Sequence, residues 1–391
     1  MGILANTLSF CQFRVEGAAL PADLASWAGE SLRKKAFRSI EHSTEEESIG
    51  WVELLDNQSS EFASPQSFHK DRFLAFSLRK DQRRLPAALI RRGVQKRSEA
   101  FLQEHPGLKR VPKGKKEEIL DLVRGELLAR TFPVPAIYDA VWDLDSNRVY
   151  FAGLNAKLIE LFENLFKTSF EGLRLVSVHP MNRAESLLDE AGRKLLAAAD
   201  RSGAQSVLDQ MRENRWLGTD FLLWLLFETL CGSGDYATVT PGFELEGHRF
   251  AGYLNDRLVL VGGGDEGVQK ITAAGPQDRF HEVRTALAGG KEITEATLYL
   301  EKAEESWKLN LKAESFHFGS FRCPSVTLEK DDRVNEDSEK EAVFLERMLL
   351  LEQGLQCFDS LFATFLKLRL DEGWPKQAAA VEAWLNEARE A

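Results

Sequence analysis

The chain has 391 residues, 43% of them hydrophobic and 28% charged, the balance of a water-soluble protein with a sizeable core. No apolar run reaches the roughly 18–20 residues that span a bilayer; the strongest, FLLWLLFETLCG at Phe221–Gly232, reads as a buried helix. The formal charge of −11 taken alone argues against a nucleic-acid partner, because an acidic body repels phosphate at long range.

Ile3–Val15 reads as a strand, and PADLASWAGESLRKKAF follows with Leu24, Trp27 and Leu32 at helical spacing behind Pro21. Gly50–Leu55 and Arg72–Lys80 are strand-like, giving β-α-β-β. Two helices come next. The earlier runs from Leu85 to about Gln103, with Pro86 in its first turn, where a missing N–H costs nothing. EHPGLKRVPKGKK breaks it with two prolines and two glycines. The later helix, from about Lys115 to Ala129, puts Leu120, Val123, Leu127 and Leu128 on one stripe. The pair predicts an αα-hairpin projecting between strands.

PAIYDAVWDLDSNRVYFAG then predicts a β-hairpin turning at Asp145-Ser146-Asn147, followed by a helix over Asn155–Ser169 and the strand GLRLVSV. This second half-unit is β-β-α-β. Beyond Pro180, helices are expected near Arg183–Ala199 and Ala204–Leu230, and a β-rich region from Ala237 to about Cys323. A long helix over about Glu339–Leu370 buries Phe344, Met348, Leu355, Phe358, Phe362 and Phe365; after Gly373 and Pro375, a last helix covers Gln377–Glu390. The fold class is α+β: two half-units flanking the helical hairpin, with a mixed β-rich and helical C-terminal part.

Several motifs are set aside on context. Gly262, Gly264 and Gly267 satisfy G-x-G-x-x-G after an apolar strand, but Gly275-Pro276 arrives before a crossover helix could form. Asp265 and Glu266 would also face the pyrophosphate, so a glycine-rich hairpin turn is expected. Asp143 and Asp145 lie two apart and could serve a metal-dependent nuclease, but no acid and lysine at nuclease-like spacing accompany them, and one of the pair is placed to start the turn. Cys11, Cys231, Cys323 and Cys357 form no C-x-x-C pair, the seven histidines are dispersed, and G-x-S-x-G is absent. No catalytic residue, metal or cofactor is therefore assigned. Free thiols and an opening without a basic n-region predict a cytoplasmic protein.

The distribution of charge reverses the first impression. From Arg79 to Arg130 there are 15 Lys/Arg against 7 Asp/Glu, a local +8, so the remaining residues carry −19. The acid collects in Ser43–Ser48, in EKAEES at Glu301–Ser306 and in Glu329–Glu341. On the first hairpin helix, Arg92 and Lys96 are i,i+4 and Arg91 and Arg97 lie close by, while Ile90, Val94 and Phe101 face the other way. Arg79, Lys80, Arg83 and Arg84 precede that helix; Lys113, Lys115 and Lys116 open the second and Arg130 closes it. Few aromatics interleave, and there is no recognition-helix or zinc-finger pattern. Cations in this arrangement suit phosphate-backbone contact without base reading.

GWVEL (Gly50–Leu54), FSLRKDQRRLP (Phe76–Pro86), the basic helical hairpin, LLARTFP (Leu127–Pro133) and VWDLDSNRVYF (Val141–Phe151), in that order, resemble the bacterial recombination-associated RdgC family. The resemblance covers about residues 45–180. It implies a horseshoe-shaped subunit with a centre region (1–84 and 133–180), a tip (85–132) and a base (181–391), two copies closing into a ring around double-stranded DNA. It also implies little sequence preference, a nucleoid-associated location and restraint of RecA-dependent recombination. Phe132 stands where the family places a tip phenylalanine that wedges into the partner subunit. The family has been named an exonuclease as well, and no residue set here carries that chemistry. The chain departs from its relatives in extra material between about 180 and 250 and at the end. Where relatives carry a basic C-terminal hairpin, the counterpart at Arg257–Lys270 holds the acidic GGGDEG.

The expected function is thus a homodimeric duplex-DNA-binding protein, not an enzyme, with no membrane partner. Two rivals stand beside it: a metal-dependent exonuclease using Asp143 or Asp145, and an interaction scaffold whose basic hairpin grips an acidic partner.

Overall fold

A computed structural model describes residues 2–202, 207–242, 249–264, 267–275, 280–326 and 336–390. In chain order the elements are β1 (Thr7–Gly17), α1 (Leu24–Lys34), β2 (Glu47–Glu53), β3 (His69–Lys70), β4 (Phe73–Gln82), α2 (Ala87–Glu104), α3 (Lys113–Arg130), β5 (Val134–Asp143), β6 (Arg148–Phe151), α4 (Ala156–Ser169) and β7 (Leu173–Ser177). They continue through α5 (Pro180–Leu187), α6 (Glu190–Ala199), α7 (Val207–Glu213), α8 (Trp216–Cys231), β8 (Asp235–Ala237), β9 (Arg249–Gly264) and β10 (Gly267–Ala273). The last are α9 (His281–Ala288), β11 (Glu292–Lys302), β12 (Glu305–Lys312), β13 (Phe318–Arg322), α10 (Glu336–Arg369) and α11 (Trp374–Glu390). The fold is α+β, as the pattern of elements predicts. No helix among the described residues is long and apolar enough to cross a membrane.

The chain divides into two compact units. One comprises Gly17–Val141 and Leu161–Leu173. Here β2 pairs antiparallel with β4, setting Gly50 opposite Arg79 and Trp51 opposite Leu78. Trp51 is fully buried against Phe76 (5.0 Å) and Phe162 (6.0 Å), and its indole N–H donates to Ser169 Oγ at 2.7 Å. The indole thus buries its large apolar area without stranding its one donor. Gly50 is required beside it, because a Cβ there would stand 2.5 Å from the Phe37 backbone. The Gly-Trp-Val motif is therefore a packing device. Helices α2 and α3 leave the same unit between β4 and β5, two strands that neighbour each other in the sheet.

The other unit comprises Met1–Glu16, Trp142–Glu160 and Arg174–Ala391. Its strands follow the order β10-β9-β11-β12-β13-β1-β6, with β8 on β9 and β7 on β1. Leu298, Leu300, Trp307, Leu309 and Leu311 are buried on one side, where α8 and α10 pack. The α10 stripe read from sequence is all buried, and Phe221 of α8 meets Phe358, Phe362 and Phe365 at 5.3–6.0 Å. Inside the same unit Arg183 is 1% exposed: it donates to Asp359 at 2.5 Å and Gln12 at 2.6 Å, between the Phe318 and Phe358 rings.

Four expected boundaries need correction. Helix α1 starts at Leu24 rather than at Pro21, because Asp23 supplies the cap, accepting from the Ser26 N–H at 3.2 Å. The single helix expected over Arg183–Ala199 is two, since Asp189 caps a new start by accepting from Gly192 N–H. The span Ala204–Leu230 is likewise divided between α7 and α8, and residues 203–206 lie outside the described ones. Pro375 sits in the first turn of α11 rather than ahead of it, so that helix begins at Trp374. The β-rich region also contains a short helix, α9, that no sequence signal announced.

Candidate nucleic-acid interface

Helices α2 and α3 cross at Gly93, where an added Cβ would lie 2.6 Å from Val123 Cγ1. Ile119, Val123 and Leu128 of α3 are buried, while no residue of α2 is. A two-helix projection has too little apolar surface to cover either helix, so most of its side chains face water.

The base of the hairpin is fixed by Arg83. Its guanidinium is buried and donates to the Thr131 carbonyl (2.7 Å), the Glu45 carbonyl (2.5 Å), the Ile40 carbonyl (2.8 Å) and the Glu41 carbonyl (3.1 Å). These bonds join the entry into α2 to the exit from α3 and to the segment before β2. Arg79 is also committed: it forms a two-pronged pair with Asp81 at 2.9 and 3.0 Å and lies 4.4 Å over the Phe37 ring. Lys80 pairs with Glu47 at 2.7 Å. Three of the cations read as phosphate ligands thus serve the fold or a neighbouring carboxylate.

The others are arranged differently. Arg84, Arg91, Arg92, Lys96, Lys113, Lys116 and Arg130 are exposed and make no ion pair among the described residues. Arg97 and Lys115 are exposed too, but reach Glu126 at 2.5 Å and Glu118 at 2.7 Å. Arg91, Arg92 and Lys96 occupy the side of α2 away from Ile90, Val94 and Phe101, which are half-buried. Lys113, Lys115 and Lys116 fill the first turn of α3, which itself holds no acid, and Pro112 provides no capping side chain. Cations there oppose the helix dipole and cost helix stability. In return they add to the positive potential of that helix end, which suits an anion. Lys109 and Arg110, in the connecting loop, are exposed as well and belong to the same basic run. Arg124 is exposed but paired with Glu46 at 2.8 Å.

Apolar side chains accompany this charge. Phe132 is 77% exposed, Val134 58% and Leu89 48%, all where the hairpin meets its strands. A groove of about 300 Å³ runs along the helix pair between Leu89, Gly93, Val123 and Leu127.

Gly264 pairs with Gly267 in the β9–β10 hairpin, and Gly267 has φ +104°, so the glycines serve a turn; Asp265 and Glu266 lie outside the described residues, as does 327–335 of the acidic linker. Asp143 is buried and accepts from the Asp145 N–H at 3.1 Å and the Ser146 hydroxyl at 2.5 Å, which closes the β5–β6 turn. Among the described residues no group of three or more His, Cys, Asp or Glu side chains could hold a metal ion.

Residues 13–190 match the family model described as "RdgC: Putative exonuclease, RdgC". No curated protein matches the chain.

Proposed function

We propose that the chain, whose residues 13–190 match the RdgC family model, binds double-stranded DNA without sequence preference. The observation that carries this reading is the set of exposed cations on the hairpin that make no ion pair among the described residues: Arg91, Arg92 and Lys96 along α2, Lys113 and Lys116 at the start of α3, with Arg84 and Arg130 at the root. Lysine and arginine on a helix face can replace the counterions condensed on a duplex, and this gains affinity without reading bases. Nothing in that set has the geometry of a base-reading helix.

Two further steps complete the proposal. Two copies close around the duplex, with Phe132, an aromatic side chain that is 77% exposed, as the tip contact. Occupancy of the duplex then restrains RecA by denying it substrate, which places the protein on the nucleoid. No catalytic step is assigned, since Asp143 is already used by the turn it caps.

The test is charge reversal. Arg91→Glu, Arg92→Glu and Lys96→Glu, combined, should lower affinity by a similar factor for two unrelated ~30-base-pair duplexes, with thermal melting unchanged, as expected for surface positions. A loss confined to one duplex would contradict backbone-only contact.

A further inference from the structure

The duplex contact leaves the acidic run EKAEES without a role. It forms the β11–β12 turn, where Glu301 stands opposite Ser306 and Lys302 opposite Glu305. Two residues earlier, Tyr299 lies between Tyr253 of β9 and Lys308 of β12 in one cross-strand row. The phenol rings of Tyr253 and Tyr299 stack at 5.2 Å with an interplanar angle of 2°, and the Lys308 ammonium sits 5.0 Å from the Tyr299 ring centre. Each hydroxyl donates to a carboxylate, Tyr253 to Glu301 at 2.6 Å and Tyr299 to Asp256, which Lys308 also meets. A phenol that donates to an anion holds more electron density in its ring and attracts a cation more strongly.

From Arg322 and Lys308 the row runs through the two rings and then stops. Strand β8 pairs with β9 only over Arg249–Ala251, and its register, continued, sets Ser233 opposite Tyr253 with Gly232 and Gly234 beside it. The Gly252 N–H donates to the Gly234 carbonyl at 2.9 Å, so the chain does pass there. Those residues are too small to cover a ring, and no described ring or cation lies on that face of Tyr253. The charge around it is negative. Lys308–Asp256 and Arg249–Asp235 neutralise each other in pairs, whereas Glu301 on this face and Glu304 in the turn make no ion pair among the described residues; Lys302 and Glu305 lie on the opposite face with Leu300 and Trp307.

We propose that this edge binds an arginine-bearing basic segment of a protein partner. One guanidinium stacks on the uncovered face of Tyr253 and pairs with Glu301, and neighbouring cations of the segment meet the acidic turn. A planar guanidinium suits both tasks better than an ammonium, because it stacks on an aromatic face and forks onto a carboxylate. Single-stranded nucleic acid could use the ring but would be repelled by Glu301 and Glu304. The site is separate from the hairpin, and its test is independent of duplex binding.

The full chain is titrated by anisotropy with a labelled octa-arginine peptide at about 150 mM salt, with octalysine and labelled oligothymidylate as comparators. Octa-arginine should bind more tightly than octalysine, and oligothymidylate should not compete at this edge. Tyr253→Leu should weaken the arginine peptide about tenfold and the lysine peptide less, while duplex binding is unchanged. Glu301→Gln, at an exposed position, should act in the same direction and carries the test if Tyr253→Leu fails to fold. Glu190→Gln, a distant exposed acid on α6, should change nothing. Equal affinity for the two peptides would overturn the proposal. So would undiminished arginine binding in a folded Tyr253→Leu or Glu301→Gln protein, or oligothymidylate binding that Tyr253→Leu removes.

Discussion

Arg83 and Arg92 are the same residue type nine positions apart in one basic run, and the fold uses them in opposite ways. Arg83 is buried with four carbonyls as acceptors; Arg92 is exposed without an ion pair among the described residues. Arg83→Ala would leave the buried Ile40 carbonyl and three part-buried carbonyls without their donor, a loss on the order of 3 kcal/mol, and the urea midpoint should fall markedly. Arg92→Ala should leave the midpoint unchanged and weaken duplex binding. A count of charges in sequence cannot separate the two, because a guanidinium that bonds backbone carbonyls carries no local signature. Two histidines give a second residue-scale expectation. Burial, with Arg14 nearby, pushes His179 down to about 4, and burial, with Lys312 nearby, does the same for His317. Both are neutral in the fold and regain an ordinary value near 6.5 on unfolding. The linked stability is therefore complete above about pH 6.5 and is lost as pH falls toward about 4. The urea midpoint should drop between about pH 7 and pH 5, and His317→Gln should flatten part of that slope; a midpoint constant over this range would contradict the burial argument.

Among elements, long periodic segments were legible and short ones were not. The stripe of α10 and the two hairpin helices follow from apolar spacing, because a helix that packs along one face must repeat that spacing, even where, as in α2, the face is only half-buried. The eight-residue α9 has too few turns to show a period, and its N-cap Phe280 (φ +51°) offers no capping signal. The split between α5 and α6 was readable in principle from Asp189, three residues before Gly192, but the apolar spacing on both sides masked it. The hairpin itself depends on a residue that looks unhelical: Gly93 costs helix propensity by about 1 kcal/mol and permits the close crossing at Val123. Gly93→Val should force α2 and α3 apart. Amide exchange should then quicken across both helices, with β2 and β4 protected as before. Unchanged exchange in α2 and α3 would mean that the crossing is not what holds the pair.

At the scale of the whole molecule, the informative quantity is the separation of charge, +8 over Arg79–Arg130 against −19 elsewhere, which was fully legible in the sequence. Which cations remain free was not. If two copies close at the tip, Phe132→Ser should raise the dimer dissociation constant in sedimentation or native mass measurements, by about tenfold for loss of a central aromatic contact; an unchanged constant would remove Phe132 from the interface. The central claim is that the remaining cations replace counterions on duplex DNA. Its most direct test is the anisotropy of a labelled ~30-base-pair duplex, in two unrelated sequences, titrated with the protein at about 50 and 200 mM salt. With ~6–8 phosphates engaged, both sequences should bind alike and lose on the order of a thousand-fold in affinity across that range. Affinity independent of salt, or no binding at either concentration, would contradict the account.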